Sequence, residues 1–406
     1  MTRRGSMLLG GSVVLLIAGR VLAMVELYML AAAALALVAA AVAQVRAARF
    51  TVVARREVRP PRVHAGAASR VELAVENLAA RRSPVLSARD PFGDGRRAAS
   101  FLVAPLDPGE TARAAYRLPT EHRGVFDLGP LELRRSDPFG LAEATAEAAP
   151  ATALVVFPHI DPIEAPAFTR GHDPHAGADH PSALGVAGED FYGLREYTHG
   201  DDLRRVHWKA TARLDELMIR QDEMPWQGRA TVVLDLRQRV HSAVSIEVAV
   251  SAAASLVTAC ARRRSLVRLV APGADSGFGA GPAHVDAILE RLALAAPGPA
   301  SHLRPLLDPL HRDGDGGALT VITTAAASAA DLDTVARLQA RFGGVTLVLL
   351  EQSVIDPAGA ATGSSPAPPS IPPAIPTVAS VVRVTSERPF AAAWAARHTT
   401  TAARAR

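Results

Sequence analysis

Two charged residues, Arg20 and Glu26, interrupt the long apolar sequence near the N-terminus. Residues 27–45 form an uncharged run of 19 positions, close to the length that a helix needs to cross a bilayer. Residues 7–25 form a second span if Arg20 extends toward an interface. The pattern predicts a transmembrane helical hairpin with Glu26 at its outer tip. We assign residues 1–49 to this hairpin and its basic flanks.

Arginines flank both ends of the predicted hairpin. They stand at Arg3, Arg4, Arg46, Arg49, Arg55 and Arg56. Because positively charged flanks favour the cytoplasmic side, we expect both ends and the soluble domains in the cytoplasm. The alternative is a cleaved signal peptide, with the first two arginines as its basic region and residues 21–23 as its cleavage site. The second span directly behind the first favours the hairpin.

Residues 50–150 contain short alternating runs separated by Pro and Gly, as is typical of β-strands. Four runs have the length of strands: residues 70–77, 85–90, 112–118 and 128–134. Their spacing predicts a small all-β sandwich domain. Turn residues stand at Arg123-Gly124 and at Asp137-Pro138-Phe139-Gly140, and we expect Phe139 to fill one end of the sandwich. Arg123 and Asp137 could form a functional surface, although stabilising turns is the simpler role.

Residues 151–187 form a polar linker with several histidines. His172 and His175, beside Asp173 and Asp179, suggest a metal site. No regular element fixes their spacing and no cysteine is near, so solvated histidines are the simpler interpretation.

From residue 226 to residue 406, apolar strands alternate with helices. The predicted strands are residues 230–236, 266–270, 318–323, 345–350 and 381–384, and the predicted helices are residues 242–264, 283–294, 330–342 and 388–397. This alternation predicts an α/β domain with a doubly wound parallel sheet. Residues 357–377 are dense in Pro, Ala and Ser, which indicates a disordered insertion.

Residues 188–225 concentrate charged and aromatic side chains. The candidate site residues are Glu189, Arg195, Glu196, Tyr197, Gly200, Asp201, Asp202, Arg204, His207, Trp208, Lys209 and Arg213. Lys209 is the only lysine among the 44 Lys and Arg residues, which suggests a position that needs a compact charge.

The local pattern of this stretch predicts strand, turn, helix and strand. Asp201 or Asp202 would cap the helix, with Leu203, His207 and Leu214 on its apolar face. These residue types would suit acid–base catalysis. The sequence has no nucleophile elbow, cofactor fingerprint or paired metal motif, and a core histidine is commoner than a base on an apolar face. We therefore predict no catalytic residue and no cofactor.

The pattern G-E-D-F-x-x-L-R-E-Y-x-x-G-D-D-x-R-x-x-x-W-K-A-x-A-R, which begins at Gly188, resembles the signature of the bacterial family called domain of unknown function 58. A second resemblance lies upstream. It comprises Arg123, Gly124 and Gly129 of an R-G-x-x-x-L-G-P piece and Asp137, Pro138, Phe139 and Gly140 of a D-P-F-G-L piece. With the architecture above, the resemblance covers most of the chain.

The α/β region resembles a von Willebrand factor A domain, as members of this family do. Such domains often hold Mg²⁺ with a D-x-S-x-S loop after the first strand, which supplies oxygen ligands. Here Asp235 is followed by Arg237 and Arg239 in place of both serines. We expect this degenerate loop to hold no metal and Asp235 to pair with an arginine. Thr323 or Thr324 would be a remnant of the other ligands.

The family resemblance implies a partnership with a MoxR-type AAA+ ATPase and often with a membrane protein that carries a transglutaminase-like domain. The expected function is a membrane-anchored, non-catalytic scaffold or adaptor in assembly, remodelling or envelope-related maturation. The charged stretch would lock the soluble domains together or face the ATPase. We favour the lock because charges interleaved with aromatics tend to be partly buried.

Two alternatives to the adaptor remain, an enzyme that uses the cluster of residues 195–209 and a metal-dependent A-domain binder. The net charge of +4 is spread over 406 residues, so no nucleic-acid partner is inferred. A single cysteine, Cys260, excludes an internal disulfide framework and fits a reducing compartment.

Overall fold

The computed structural model describes residues 1–47, 52–166, 190–198, 206–223, 228–312, 316–356 and 380–404. The chain divides into two compact units, Met1–Phe157 and Pro158–Arg406. The predicted insertion at residues 357–377 and the histidine pair of the linker lie outside the described residues.

The N-terminal hairpin consists of α1 (Arg3–Leu22) and α2 (Val25–Ala47). The chain reverses through Ala23, which adopts a left-handed conformation. Gly19 permits close contact of the helices, since a Cβ there would lie 3.2 Å from the ring of Tyr28. Both helices are long and apolar enough to cross a membrane, as the sequence predicts for this pair. Glu26 lies in the first turn of α2.

The rest of the first unit is made of β-strands. They are β1 (Val52–Arg59), β2 (Arg62–His64), β3 (Arg70–Asn77), β4 (Leu86–Phe92), β5 (Arg97–Val103), β6 (Thr111–Arg117), β7 (Gly124–Leu128), β8 (Leu131–Ser136), β9 (Glu143–Ala149) and β10 (Thr152–Phe157). One sheet has the order β1-β3-β6, and the second has the order β2-β10-β7-β4-β8-β9, with β5 on β4. The alternating apolar residues of both sheets form one core, which buries Val71, Leu73, Leu133 and Leu154.

Three expectations for the β unit need correction. The single strand predicted over residues 128–134 is two strands, because Gly129, at φ +87°, turns the chain between β7 and β8. Phe139 does not fill the end of the sandwich, since its side chain is 62% exposed. The linker predicted from residue 151 begins later, because β10 pairs with β2 and β7.

A buried ion pair ties the first strand of this unit to its second sheet. Arg56 Nη1 donates to Asp90 Oδ1 at 2.6 Å, and both side chains are almost wholly buried. Tyr116 donates to the other carboxylate oxygen at 2.7 Å, and the carbonyl of Pro150 accepts from Arg56. Burial, the hydrogen bond and the charge of Asp90 raise the pKa of Tyr116. Arg56 is therefore an internal cation rather than a free flanking charge of the hairpin.

The second unit contains an α/β sheet and a two-stranded ribbon. Its elements are β11 (Asp190–Glu196), α3 (Trp208–Leu214), β12 (Met218–Glu223), β13 (Arg229–Leu234), α4 (Ala243–Arg262), β14 (Leu266–Ala271), β15 (Ala274–Asp275), α5 (Pro282–Ala293), α6 (Arg304–Arg312), β16 (Ala318–Thr324), α7 (Ala329–Arg337), β17 (Gly344–Leu350), α8 (Gln352–Ile355), β18 (Ser380–Val384) and α9 (Phe390–Arg404). The sheet has the order β15-β14-β13-β16-β17-β18, and every pairing except that of β15 is parallel. The predicted alternation of strands and helices is confirmed in this sheet.

The order of this sheet places its switch point between β13 and β16, where successive connections leave in opposite directions. The carboxyl ends of strands at a switch point form a crevice that often holds a ligand. Helix α4 is also long and apolar enough to span a membrane by composition. It packs instead on this sheet, with residues such as Val250, Leu256 and Cys260 fully buried, and burial raises the pKa of the Cys260 thiol to about 12.

The start of the predicted linker is bound to the α/β unit. Ser251 of α4 donates to the carbonyl of His159 at 2.9 Å, and the amide of Asp161 donates to Ser255 at 2.9 Å. Further along, Trp394 of α9 donates through Nε1 to the carbonyl of Glu164 at 2.7 Å. Residues 158–166 therefore belong to the second unit.

Candidate functional site

A buried polar cluster lies at the carboxyl end of β13. Asp235 follows the strand directly and is fully buried. One of its oxygens accepts a hydrogen bond at 2.7 Å from Thr323, near the end of the adjacent strand β16. The backbone N–H of Arg237 donates to the other oxygen at 3.0 Å. Two adjacent strand ends thus hold the carboxylate that the sequence singled out.

The guanidinium of Arg237 fills the space between two buried carboxylates. Its Nη2 donates to Asp235 at 2.7 Å and its Nε at 3.0 Å, while its Nη1 donates to Asp331 at 2.8 Å. The Arg237 side chain is only 3% exposed. Burial acts to lower the pKa of this guanidinium, but the bonds to both carboxylates outweigh burial and raise it.

Asp331 is held by more than the arginine. It is the third residue of α7, where Ser328 and Asp331 form a reciprocal capping box. The amide of Leu303 donates to its Oδ1 at 2.9 Å. Burial acts to raise the pKa of Asp331, but this amide, Arg237 and Ser328 together lower it. Sequence reasoning missed Asp331, although the Ser-x-x-Asp capping pattern at the start of a helix was a signal for it.

These residues do not fit a divalent cation. The carboxylate that such an ion would need is already bound by a guanidinium, and a second positive charge there would be repelled. Among the residues described, no group of three His, Cys, Asp or Glu side chains could hold a metal. Of the two arginines in the degenerate loop, Arg239 is exposed and makes no contribution to the buried cluster.

His241 closes the cluster on its α4 side. Its Nδ1 lies 3.1 Å from the hydroxyl of Ser245, and its Nε2 is buried without a hydrogen-bond partner among the described residues. Burial, aided by the charge of Arg237, lowers the pKa of this imidazole against the opposing charge of Asp235.

The charged signature stretch folds as a ribbon with a short helix at one side. Strands β11 and β12 pair antiparallel, and Val206 bridges to Ile219. The helix of this stretch begins at Trp208, and His207 is its N-cap, accepting through Nδ1 from the amide of Ala210 at 3.1 Å. The prediction that His207 lies on the apolar face of a longer helix is therefore wrong. Among the candidate residues, Glu189, Gly200, Asp201, Asp202 and Arg204 lie outside the described part of the chain.

The described members of the stretch lie largely at the surface. Trp208 is 69% exposed, and Glu196, Lys209 and Arg213 are also exposed, while Tyr197 is half-buried. Lys209 and Arg213 are four residues apart, so they share one face of α3. The expectation that these residues are partly buried is wrong for Trp208, Lys209 and Arg213.

The second motif forms a turn that anchors the β unit to the hairpin. Both carboxylate oxygens of Asp137 accept backbone amides, from Ala142 at 2.6 Å and from Phe139 at 2.8 Å. Burial acts to raise the pKa of Asp137, but these amides lower it. Thr2, the N-cap of α1, donates through its side chain to the carbonyl of Gly140 at 2.6 Å and through its amide to that of Leu141 at 3.0 Å.

Apolar contacts reinforce this anchor. Leu141 and Ala142 form one buried cluster with Val38, Ala41 and Val45 of α2. The turn therefore fixes the β unit at the end of the hairpin. The other motif residues turn the chain elsewhere: Arg123 precedes β7, which begins at Gly124, and Gly129 ends it.

The fold and its sites define a class of protein: two N-terminal helices able to span a membrane, a β unit anchored on them, and an α/β unit whose polar site is filled by an arginine. Residues 193–360 match the model of a family described as protein of unknown function DUF58. The match covers much of the signature stretch and most of the α/β sheet, which supports the family resemblance stated from the motifs.

Likeness to solved structures is weak. The CARDB domain of the PF1109 protein from Pyrococcus furiosus is 16% identical, with 26% of this chain and 84% of that chain covered and a TM-score of 0.20. The alkylpurine DNA glycosylase AlkC of Pseudomonas fluorescens is 14% identical, with 25% and 31% covered and a TM-score of 0.17. Such scores support no conclusion about this chain. No curated protein matches it significantly.

Proposed function

We propose that this protein is a membrane-anchored, non-catalytic adaptor that presents α3 to a MoxR-type AAA+ ATPase, in assembly, remodelling or envelope-related maturation. The hairpin would anchor it in the bacterial cell membrane, with both soluble units in the cytoplasm, where ATP is available to the ATPase. A membrane protein with a transglutaminase-like domain is a second proposed partner.

The observation that carries this proposal is the exposure of Trp208 beside a pair of cations. A tryptophan side chain that is 69% exposed leaves a large apolar surface in water, and such residues are enriched at the centres of protein interfaces. Lys209 and Arg213 add two positive charges to the next face of the helix. A partner with an apolar pocket bordered by acidic residues would complement this surface.

Two further observations favour an adaptor over the alternatives. The Nδ1 atom of His207 accepts a backbone hydrogen bond, which stabilises α3 and removes that atom from use as a base. The polar site at the sheet's switch point holds Arg237 between two carboxylates, which disfavours a metal-dependent binder.

The proposal is tested with the full chain in lipid nanodiscs and the purified MoxR-type ATPase of the same organism. Binding is measured by interferometry with a non-hydrolysable ATP analogue and with ADP. We expect nucleotide-dependent binding that Trp208→Ala weakens by about thirty-fold, because truncating an interface tryptophan costs about 2 kcal/mol or more. Lys209→Glu should also weaken binding, and the loss of affinity should be larger at low salt than at high salt because salt screens charge interactions.

The matched control is Leu294→Ala, which truncates another exposed apolar side chain of the same unit (64% exposed). It should leave the Kd unchanged. Equal affinities of Trp208→Ala and Leu294→Ala would remove α3 from the interface, and absence of binding with either nucleotide would contradict the partnership itself.

A further inference from the structure

A cleft of about 580 Å³ lies in the first unit, between the end of α2 and the β sandwich. Gln44, near the end of α2, forms one wall, and residues of β4, β5, β8 and β9 form the others. Its size falls in the range of small-molecule sites. The charged signature stretch and the polar site of the α/β unit do not contribute to it, whereas Asp137 and Pro138 of the second motif line it.

The cleft contains charges of both signs. Arg134 and Arg135 of β8 line it, as does Glu143 at the start of β9. Ser136 pairs with Glu143 in the sheet, which places this carboxylate diagonally across from Arg134. Asp137 also lines the cleft, but backbone amides of its own turn occupy its carboxylate.

Hydrogen-bonding capacity remains on the basic side of the cleft. Arg134 donates through Nη2 to Glu132 at 2.9 Å, while its Nε is buried with no partner in the described part of the chain. Arg135, the next residue of β8, points to the other face of the sheet, because successive side chains of a strand alternate. The guanidinium of Arg134, which shares its face of the sheet with Glu143, is therefore the basic group that a tetrahedral anion would meet in the cleft.

The rim of the cleft is apolar and exposed. Leu102 is 76% exposed and Val85 is 53% exposed. Both stand beside the end of α2, a helix long and apolar enough to cross a membrane. If α2 spans the bilayer, Gln44 lies where head groups begin, and apolar side chains at that level meet acyl chains.

We propose that this cleft binds the head group of a zwitterionic phospholipid that carries a phosphate and a primary ammonium group, as in phosphatidylethanolamine. Arg134 takes the phosphate, Glu143 accepts from the ammonium, and Val85 and Leu102 contact the acyl chains. The near balance of charge in the cleft selects this head group over an anionic one. The bound lipid would fix the height of the β unit on the membrane.

Native mass spectrometry of the full chain released from detergent tests the proposal. Phosphatidylethanolamine, phosphatidylglycerol, phosphatidylcholine and inorganic phosphate are added separately at equal concentration. We expect phosphatidylethanolamine to be retained about ten-fold better than the other two lipids, the effect of one additional charge-assisted hydrogen bond. Inorganic phosphate should not displace it, because phosphate lacks the ammonium and the acyl chains.

Two variants and one control separate the contacts. Arg134→Gln should lower retention of all three lipids, and Glu143→Gln should abolish only the preference for phosphatidylethanolamine. Arg97→Gln removes an exposed arginine of the same sandwich outside the cleft and should change nothing. The proposal is overturned if Arg134→Gln behaves as Arg97→Gln does, if phosphatidylglycerol is retained best, or if inorganic phosphate displaces the lipid.

Discussion

Replacement of Arg237 by serine would leave two buried carboxylates without their cation. Asp235 is fully buried and Asp331 is 4% exposed. In the wild type Arg237 donates to both, at 2.7 and 2.8 Å. The serine side chain is too short to reach both groups and carries no charge. We therefore expect Arg237→Ser to destabilise the α/β unit strongly at neutral pH.

The magnitude follows from the cost of breaking a buried ion pair from one side. Removing one partner typically costs about 3 to 5 kcal/mol, because the remaining charge stays desolvated and unpaired. Here one arginine serves two carboxylates, while Thr323, Ser328 and the amide of Leu303 remain to satisfy part of their hydrogen bonding. We expect a loss of about 4 kcal/mol in the unit's free energy of unfolding.

The loss should depend on pH in a definite direction. The folded-state pKa of Asp331 is lowered, in part by Arg237. The stability that this lowering contributes is present above the ordinary Asp pKa of about 4. It is lost as pH falls through the folded-state pKa. The variant lacks Arg237's share at every pH. The difference between wild type and variant should therefore be largest near neutral pH and shrink in acid.

The assay is hydrogen–deuterium exchange of the amides of β13 and β16 in the full chain at several pH values, corrected for intrinsic exchange. A local readout is needed because two units need not unfold together. The control is Arg239→Ser, the exposed arginine two residues further along the same loop, which should change stability by less than about 0.5 kcal/mol. Equal protection of wild type and Arg237→Ser at neutral pH, or a loss that does not change with pH, would refute the reasoning.

Three further predictions concern the β unit, each measured by thermal unfolding of the full chain and by exchange of its strand amides. Tyr116→Phe should cost about 1.5 to 3 kcal/mol, the value of a hydrogen bond to a charged group, because it removes the bond to Asp90; unchanged stability would contradict the buried network. Gly129→Ala should cost more than about 1 kcal/mol, since its Cβ would lie 2.3 Å from Nη1 of Arg56 and its φ is +87°; a neutral result would mean that the guanidinium moves freely. Asp137→Ala should cost about 1 to 3 kcal/mol at neutral pH, and less in acid because the pKa of this carboxyl is lowered in the folded state; a loss that grows in acid would contradict the assigned hydrogen bonds.

The sequence predicted those parts of the fold that a local pattern determines. The strand over residues 70–77 matches β3, because Val71, Leu73 and Val75 alternate with polar residues and face the core. The hairpin was evident from the absence of charge over the length of a bilayer span. In both cases the pattern is local, so the residue order alone shows it.

Features that depend on distant parts of the chain were not predictable in this way. The pattern did not show that Arg56, among several flanking arginines, reaches Asp90 34 residues later. Helix α6 is absent from the predicted elements, and it contains Pro309, a residue type that disfavours a helix interior. The spacing of His207 from Leu214 fits the helical period and predicts His207 inside a helix, whereas the helix begins one residue after His207.

The candidate site was predicted in part. The replacement of both serines by arginines indicated an arginine partner for Asp235, but only the tertiary arrangement shows that Arg237 rather than Arg239 provides it and that Asp331 completes the cluster. The burial expected of the signature stretch followed from its aromatic residues. A helix that lies at one side of a two-stranded ribbon instead exposes Trp208.

The most direct test of the adaptor account is photo-crosslinking in living cells of the native organism. A photoreactive amino acid replaces Trp208 in the full-length chain, and crosslinked proteins are identified by mass spectrometry. The same amino acid at Leu294 serves as the control. The account predicts that a MoxR-type AAA+ ATPase is crosslinked from position 208 and not from position 294. Equal crosslinking of the ATPase from both positions, or none from position 208, would contradict it.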